Sequence, residues 1–181
     1  MSTLAELRHD LRTMSREQIL LRLLIVLAAE AYAVVLTSVS AAGLVALVAV
    51  MALGMLTALL PQTSLPSFVI LYLLASWVVG VESAWTPAAL PAALSLLLLH
   101  AGCTLAATVP PQSPLPTALL TTQAWRLGIV AVTTVAVWAA AWVAHTVTLP
   151  GGIVAPVLGL AVLVAAVVGH YLLVTRRASV R

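Results

Sequence analysis

Charge is almost absent from the central part of this chain. Between Ile19 and Val174 the only formally charged residues are Arg22, Glu30, Glu82 and Arg126, and all the other charges lie in the two ends. A soluble domain needs charged side chains on its water-facing surface, and a segment of this polarity cannot supply them. The sequence therefore predicts an all-α protein, a polytopic membrane helix bundle in which helices pack on helices.

The composition also excludes several classes of function. The segments outside the apolar stretches are too short for a soluble catalytic domain, which needs roughly 50 residues or more. A single cysteine, Cys103, excludes an internal disulfide and a CxxC redox pair. The net charge of +3 comes from the two ends, where membrane topology explains it, so no nucleic-acid partner is expected. The sequence contains no HExxH, GxSxG or Walker motif, and we predict that the protein is not an enzyme.

The N-terminal arm, residues 1–15, has the pattern of a short amphipathic helix. Leu4, Leu7 and Leu11 recur at helical spacing on one side. We expect this helix to lie on the cytoplasmic surface of the lipid bilayer, and the alternative is a docking helix for a partner protein. Ser15 and Gln18 have the spacing of a capping box, which places the start of the first membrane helix near Arg16.

The apolar region is long enough for several membrane crossings. The stretch from Ile19 to Leu60 is about twice as long as a bilayer core if it forms one helix, so it must turn at the small and polar residues near Thr37–Gly43. Proline-containing loops separate the later segments. We predict a transmembrane domain over 16–174 with six helices, at about 16–38, 43–60, 67–81, 88–109, 125–147 and 153–174, and a tail at 175–181.

Arginine predicts the orientation of these helices. With six crossings the arginines near both ends of the chain and Arg126 fall on one side, which the positive-inside rule makes cytoplasmic. Both termini are then cytoplasmic, and Glu82 lies on the outer side. The chain has no Lys and no Asn, whose codons are rich in A and T, and this favours a bacterial genome of high GC content. The expected location is therefore the bacterial cell membrane.

Glu30 and His100 are the candidate polar pair within the membrane. An ionised carboxylate near the bilayer centre costs roughly 2.5 to 3.5 kcal/mol, so such a residue normally has a partner. Helix rise places both residues at similar depth, and a hydrogen bond between them is possible. We interpret the pair as a structural clamp between the first and fourth helices, and the alternative is a proton or cation relay. The four histidines do not occur at matching depths on facing helices, so neither haem nor another cofactor is predicted.

Two proline-rich loops share a pattern. Pro61-Gln62-Thr63-Ser64-Leu65-Pro66 recurs as Pro111-Gln112-Ser113-Pro114-Leu115-Pro116, and both lie at a predicted cytoplasmic exit. The pattern indicates either a duplicated hairpin or two loops of similar composition. Because proline stiffens them, they lose little entropy on binding. We treat them as candidate partner-docking loops, and the residues concerned are Pro61, Gln62, Pro66, Pro111, Gln112 and Pro116.

Small residues recur every four positions near the C-terminal end. Ala136, Ala140 and Ala144 form one such row, and Ala161, Ala165 and Gly169 form another. Rows of this kind allow helix backbones to approach closely in lipid. They predict a tight hairpin between the fifth and sixth helices, or contacts in an oligomer.

The stretch from Trp85 to Trp125 contains short segments with a family resemblance. They are Ala92-Ala93-Leu94, Leu99-His100-Ala101, the run Leu105-Ala106-Ala107-Thr108-Val109-Pro110-Pro111, and Trp125-Arg126. This stretch resembles small multi-pass membrane proteins of actinobacteria that occur in gene neighbourhoods of MoxR-type AAA ATPases. The resemblance implies a membrane component of an assembly or maturation system, and it assigns no catalytic residues.

The function that these observations favour is a non-enzymatic integral membrane subunit, scaffold or accessory factor of a larger complex. Its partners would be other membrane or cytoplasmic proteins, with a homo-oligomer as a further option. The alternative is a small oligomeric transporter or channel that uses Glu30 and His100 near the middle of the membrane. A transporter should expose Glu30 to water, whereas a scaffold need not.

Overall fold

The computed structural model describes residues 14–40, 43–83 and 86–146, together with Gly159, Ala161, Val164 and Gly169, which are helical. Apart from Met14 and Ser15, the predicted N-terminal arm at 1–15 lies outside the described residues. The predicted sixth helix at 153–174, apart from those four positions, and the tail at 175–181 lie outside them as well.

Five α-helices and no strand make up the described ranges, which confirms the all-α class. The helices are α1 (Arg16–Val39), α2 (Leu44–Leu59), α3 (Leu65–Gly80), α4 (Ala89–Thr108) and α5 (Thr117–Thr146). Three of them, α1, α4 and α5, are long and apolar enough to cross a membrane. Helices α2 and α3 have 16 residues each, about 24 Å, which is less than the roughly 30 Å of a bilayer core. Among the described residues the helices of spanning length therefore number three, not six.

Helix α1 is the central helix among the first four. It packs between α2 on one flank and α4 on the other, and its buried residues recur every three or four positions from Leu21 to Leu36. Two glycines make these contacts close. A Cβ atom on Gly102 of α4 would lie 2.8 Å from Cγ1 of Ile25, and one on Gly54 of α2 would lie 2.6 Å from Cβ of Ala29. Both distances are too short for a real side chain, so glycine is required at each crossing.

The first four helices alternate in direction. The end of α4 lies beside the start of α1, because the Gln18 side chain reaches the carbonyl oxygen of Val109 at 3.2 Å. At the opposite end, a Cβ atom on Gly80 would lie 3.5 Å from Cβ of Ser40, so α3 ends where α1 ends. Helices α2 and α3 thus form a hairpin that returns the chain to the end of α1.

Helix α5 begins earlier than the sequence predicts. The expected start is about Trp125, whereas the helix begins at Thr117. The carbonyl oxygen of Pro116 accepts hydrogen bonds from the backbone N–H groups of Leu119 and Leu120, at 2.9 and 3.1 Å. The fixed φ angle of Pro116 suits this entry, and the loop before α5 is correspondingly shorter.

The chain divides into two compact units at Gly128, within α5. Unit 1, residues 1–128, holds α1 to α4 and the first part of α5. Unit 2, residues 129–181, holds the rest of α5, where the rings of Trp138 and Trp142 stack with centroids 5.4 Å apart. Stacking of this kind links side chains on successive turns of the helix.

Candidate functional site

A set of three hydrogen bonds joins the start of α1 to the loop after α4, and we call it the α1–α4 latch. The backbone N–H of Ser15 donates to the carbonyl oxygen of Pro111 at 3.0 Å, and the Ser15 hydroxyl donates to that of Ser113 at 3.3 Å. The Gln18 side-chain amide donates to the carbonyl oxygen of Val109 at 3.2 Å. The latch provides hydrogen-bond donors for every second backbone carbonyl group of the loop, those of Val109, Pro111 and Ser113. These carbonyl groups belong to no helix or sheet that would otherwise pair them.

The latch changes the predicted capping box. Ser15 acts as the N-cap, and its hydroxyl accepts a hydrogen bond from the Gln18 backbone at 3.3 Å, as predicted. In a complete box the Gln18 side chain would return to the Ser15 N–H. Here both groups bind the α4 loop instead. Gln18 is fully buried, and its Oε1 atom accepts no hydrogen bond within the part of the chain that the structure describes.

The two proline-rich loops begin with the same turn and then differ. The Thr63 N–H donates to the carbonyl oxygen of Leu60 at 3.3 Å, and the Ser113 N–H donates to that of Pro110 at 3.0 Å. In the first, Pro61 and Pro66 are buried and Gln62 is exposed. Pro66 stands in the first turn of α3, where its missing N–H group costs nothing, so α3 begins at Leu65 and not at the predicted 67. This loop is a short turn whose accessible side chains are those at 62–64.

The second loop belongs to the latch. Pro111 is half-buried and its carbonyl oxygen is occupied by Ser15, while Gln112 and Pro116 are exposed. Leu115 of this loop is buried. The repeated sequence pattern therefore produces the same opening turn in both copies. The copies diverge after it, since α3 begins at Leu65 whereas α5 begins only at Thr117.

Arg22 caps the C-terminal end of α2. Its Nη1 atom donates to the carbonyl oxygens of Ala58 and Leu59, at 2.7 and 3.0 Å. The contact of Ala29 with Gly54 fixes the register of the two antiparallel helices, so that Leu59 is level with about Leu24. Helix α2 thus ends about 12 Å along α1 from Arg16.

The carbonyl groups that end a helix are costly to bury unless they are paired. A side-chain donor can pair them, and a cation beside a helix C-terminus is favourable. Arg22 supplies both the donors and the charge. This role of Arg22 is not evident from the sequence, although an arginine two turns into an apolar helix is the signal that could have indicated it.

Tyr32 joins α1 to α3 in the middle of the bundle. Its hydroxyl donates to the carbonyl oxygen of Leu73 at 2.6 Å, and only 1% of the residue is exposed. The Trp77 ring lies beside it with a centroid distance of 6.2 Å and an angle of 54°. A buried hydroxyl needs a hydrogen-bond partner, and this contact supplies one across the helix interface.

Glu30 and His100 differ in their exposure. Glu30 is half-buried and His100 is exposed. Within the described ranges no hydrogen bond or ion pair joins the two side chains. The intramembrane pairing stays a prediction.

The interior of the described bundle is apolar. Its buried polar residues are Gln18, Thr57 and Ser95. The hydroxyl of Thr57 donates to the carbonyl oxygen of Leu53 at 2.7 Å, and that of Ser95 to Pro91 at 2.8 Å, so each is bonded within its own helix. Residues 14–146, as far as they are described, also contain no cluster of three or more His, Cys, Asp or Glu side chains. The packed region contains no line of polar groups that would guide an ion.

Comparison with known proteins adds no further assignment to this geometry. The chain matches no protein-family model, no curated protein and no solved structure.

Proposed function

We propose that this chain is a non-enzymatic integral membrane subunit, a scaffold or accessory factor of a larger complex in the bacterial cell membrane. The observation that carries the proposal is the combination of an apolar, tightly packed interior with one structured end. At that end the α1–α4 latch fixes the loop after α4, and the α2–α3 turn presents short polar side chains. A preorganised surface of this kind loses little entropy when a partner binds.

The proposed topology has six crossings with both termini in the cytoplasm. The structured end then faces the cytoplasm, because it adjoins Arg16 and the arginine-rich N-terminal arm. The resemblance to membrane proteins near MoxR-type AAA ATPase genes is compatible with this proposal, since an assembly system needs a membrane component that its cytoplasmic partner can contact.

The alternative is a small oligomeric transporter. Helices α1 to α4 pack through apolar residues and through hydroxyls bonded to backbone carbonyls, which disfavours a path through one copy. A transporter would need a path between copies, lined by Glu30.

The two functions predict opposite sensitivities to substitution. Changing Gln62 and Ser64 together to Glu alters the exposed face of the α2–α3 turn and retains the buried prolines and the Thr63 hydroxyl, which accepts from the Leu65 N–H at 3.2 Å. We expect this variant to lose specific partners in a mild-detergent pull-down read by mass spectrometry. Glu30→Gln and a control in the opposite loop, Glu82→Gln, should retain them.

Transport by the purified protein would overturn the proposal. Liposomes that contain the wild-type chain should show no proton- or cation-coupled flux above that of empty liposomes. A flux that is present in the wild type and lost in Glu30→Gln would assign the protein to transport.

A further inference from the structure

Glu30 and His100 lie at nearly the same depth on different sides of one bundle. The contact between Ile25 and Gly102 fixes the register of the antiparallel helices α1 and α4, and the bond from Gln18 to Val109 gives the same offset. Glu30, five residues beyond Ile25, is therefore level with about Leu97. His100 is three residues away in depth, about 4.5 Å, which two long side chains can bridge.

Glu30 and His100 lie on faces of the bundle that α1 separates. Going around α1 from Ile25, Ala29 lies at about 40° and Arg22 at about 60°, and both contact α2. Glu30 lies further in the same direction, at about 140°, on the α2 side of α1. The Ile25 contact places α4 on the other flank. On α4, His100 directly follows Leu99, which is fully buried, and the His100 side chain is exposed. In one copy the carboxylate and the imidazole thus point to different surroundings.

A carboxylate at this depth needs a partner. Leaving it ionised and unpaired near the bilayer centre costs roughly 2.5 to 3.5 kcal/mol on insertion scales. The nearby polar groups on α1 are engaged, since Arg22 binds the end of α2 and Tyr32 binds Leu73. A second copy inserted in the same orientation presents its own His100 at the matching depth. The imidazole can donate a hydrogen bond to a carboxylate, or form an ion pair when protonated.

We propose that the chain forms a homo-oligomer in which Glu30 of one copy binds His100 of the next. The interface joins two different faces, the α2-side flank of α1 and the outer face of α4. An interface of this kind is heterologous, and it forms a ring when the rotation between copies closes. This inference concerns self-assembly and does not depend on the cytoplasmic partner proposed above.

Cross-linking between differently tagged copies tests the interface. One copy carries Glu30→Cys and the other His100→Cys, both in a Cys103→Ala background, and membranes are treated with a short bis-maleimide. We expect a cross-linked heterodimer that carries both tags. The matched control is Ala31→Cys with His100→Cys, because Ala31 is exposed, lies next to Glu30 in the sequence and points about 100° away around the helix.

An exchange of the two residues tests the chemistry. Glu30→His alone and His100→Glu alone should each weaken self-association about tenfold or more, because each places like groups opposite one another. The double variant restores a carboxylate opposite an imidazole and should recover the oligomer. The measurement is the mass distribution of the detergent-solubilised protein over a range of concentrations.

Three results would overturn the proposal. The first is an A31C control that cross-links as well as the Glu30→Cys pair. The second is a chain carrying both Glu30→Cys and His100→Cys that links only within itself. The third is a wild-type protein that stays monomeric at every concentration tested while folded, as judged by its helical circular dichroism.

Discussion

Ala29 of α1 and Gly54 of α2 approach so closely that a Cβ atom at position 54 would lie 2.6 Å from the Cβ atom of Ala29. In lipid there is no hydrophobic driving force between helices, so close packing of backbones and dispersion contacts must supply the attraction. The contact also sets the register that brings the end of α2 within reach of Arg22. One pair of small residues therefore positions two helices and the group that caps one of them.

We predict that Gly54→Ala destabilises the protein. The added methyl group meets a side chain that is held by the helix backbone and cannot rotate away, and overpacking of this kind costs about 1 to 3 kcal/mol. The measurement is thermal unfolding in detergent, with Gly128→Ala as the control, because a Cβ atom there would meet nothing within 4 Å. Adding Ala29→Gly to Gly54→Ala should recover part of the loss, since it removes the opposing methyl group.

Removing the Arg22 side chain should weaken the attachment of the α2–α3 hairpin to α1. Arg22→Met keeps most of the apolar stem but leaves the carbonyl oxygens of Ala58 and Leu59 without these donors, and an unmade bond to a buried group costs about 1 to 3 kcal/mol. Arg22→Lys should lose less, because an ammonium group retains donors and charge. Limited proteolysis at the α2–α3 turn can report the local effect. The control is Arg16→Met, at an exposed position, and equal cleavage of the Arg22→Met and control proteins would contradict the capping role.

Gln18 offers a comparison of two near-isosteric changes. Gln18→Met removes the bond to Val109 but also removes an Oε1 atom that accepts no bond among the described residues, so its effect should be small. Gln18→Glu replaces the donor with a buried carboxylate opposite a carbonyl oxygen, and it should be severely destabilising near neutral pH. The order of the two melting temperatures is the test. If Gln18→Glu melts as high as Gln18→Met, the side chain is not buried against the α4 loop.

Sequence patterns predict some of this fold because the relevant signals are local. The capping residues at Ser15 and Gln18 place the start of α1 correctly at Arg16, and prolines and small residues mark the turns between the first four helices. The early start of α5 at Thr117 is missed because its first turns contain threonine and glutamine, which resemble a loop. Their helix is initiated by the Pro116 carbonyl group and supported by the alanine and leucine residues among them.

The packing faces could not be predicted in the same way. Every side of a membrane helix is apolar, so hydropathy does not separate the buried face from the lipid face. The rows that the sequence suggests, such as Ala136 and Ala140, are exposed in α5, whereas the close crossings use Gly54 and Gly102. The role of Arg22 likewise depends on the position at which α2 ends beside α1. The periodicity of the sequence does not reveal that position.

Labelling of single cysteines tests the proposed topology. Because Gly80 lies beside Ser40, helices α2 and α3 return the chain to the end of α1, and the side on which it continues does not depend on how deeply these short helices penetrate. In a Cys103→Ala background, Ser83→Cys and Gly151→Cys should react with an impermeant maleimide in whole cells. Ser2→Cys and Ser179→Cys should react only after the cells are opened, because six crossings place both termini inside. Labelling of Ser179→Cys without Ser2→Cys in intact cells would require an odd number of crossings and would exclude this topology.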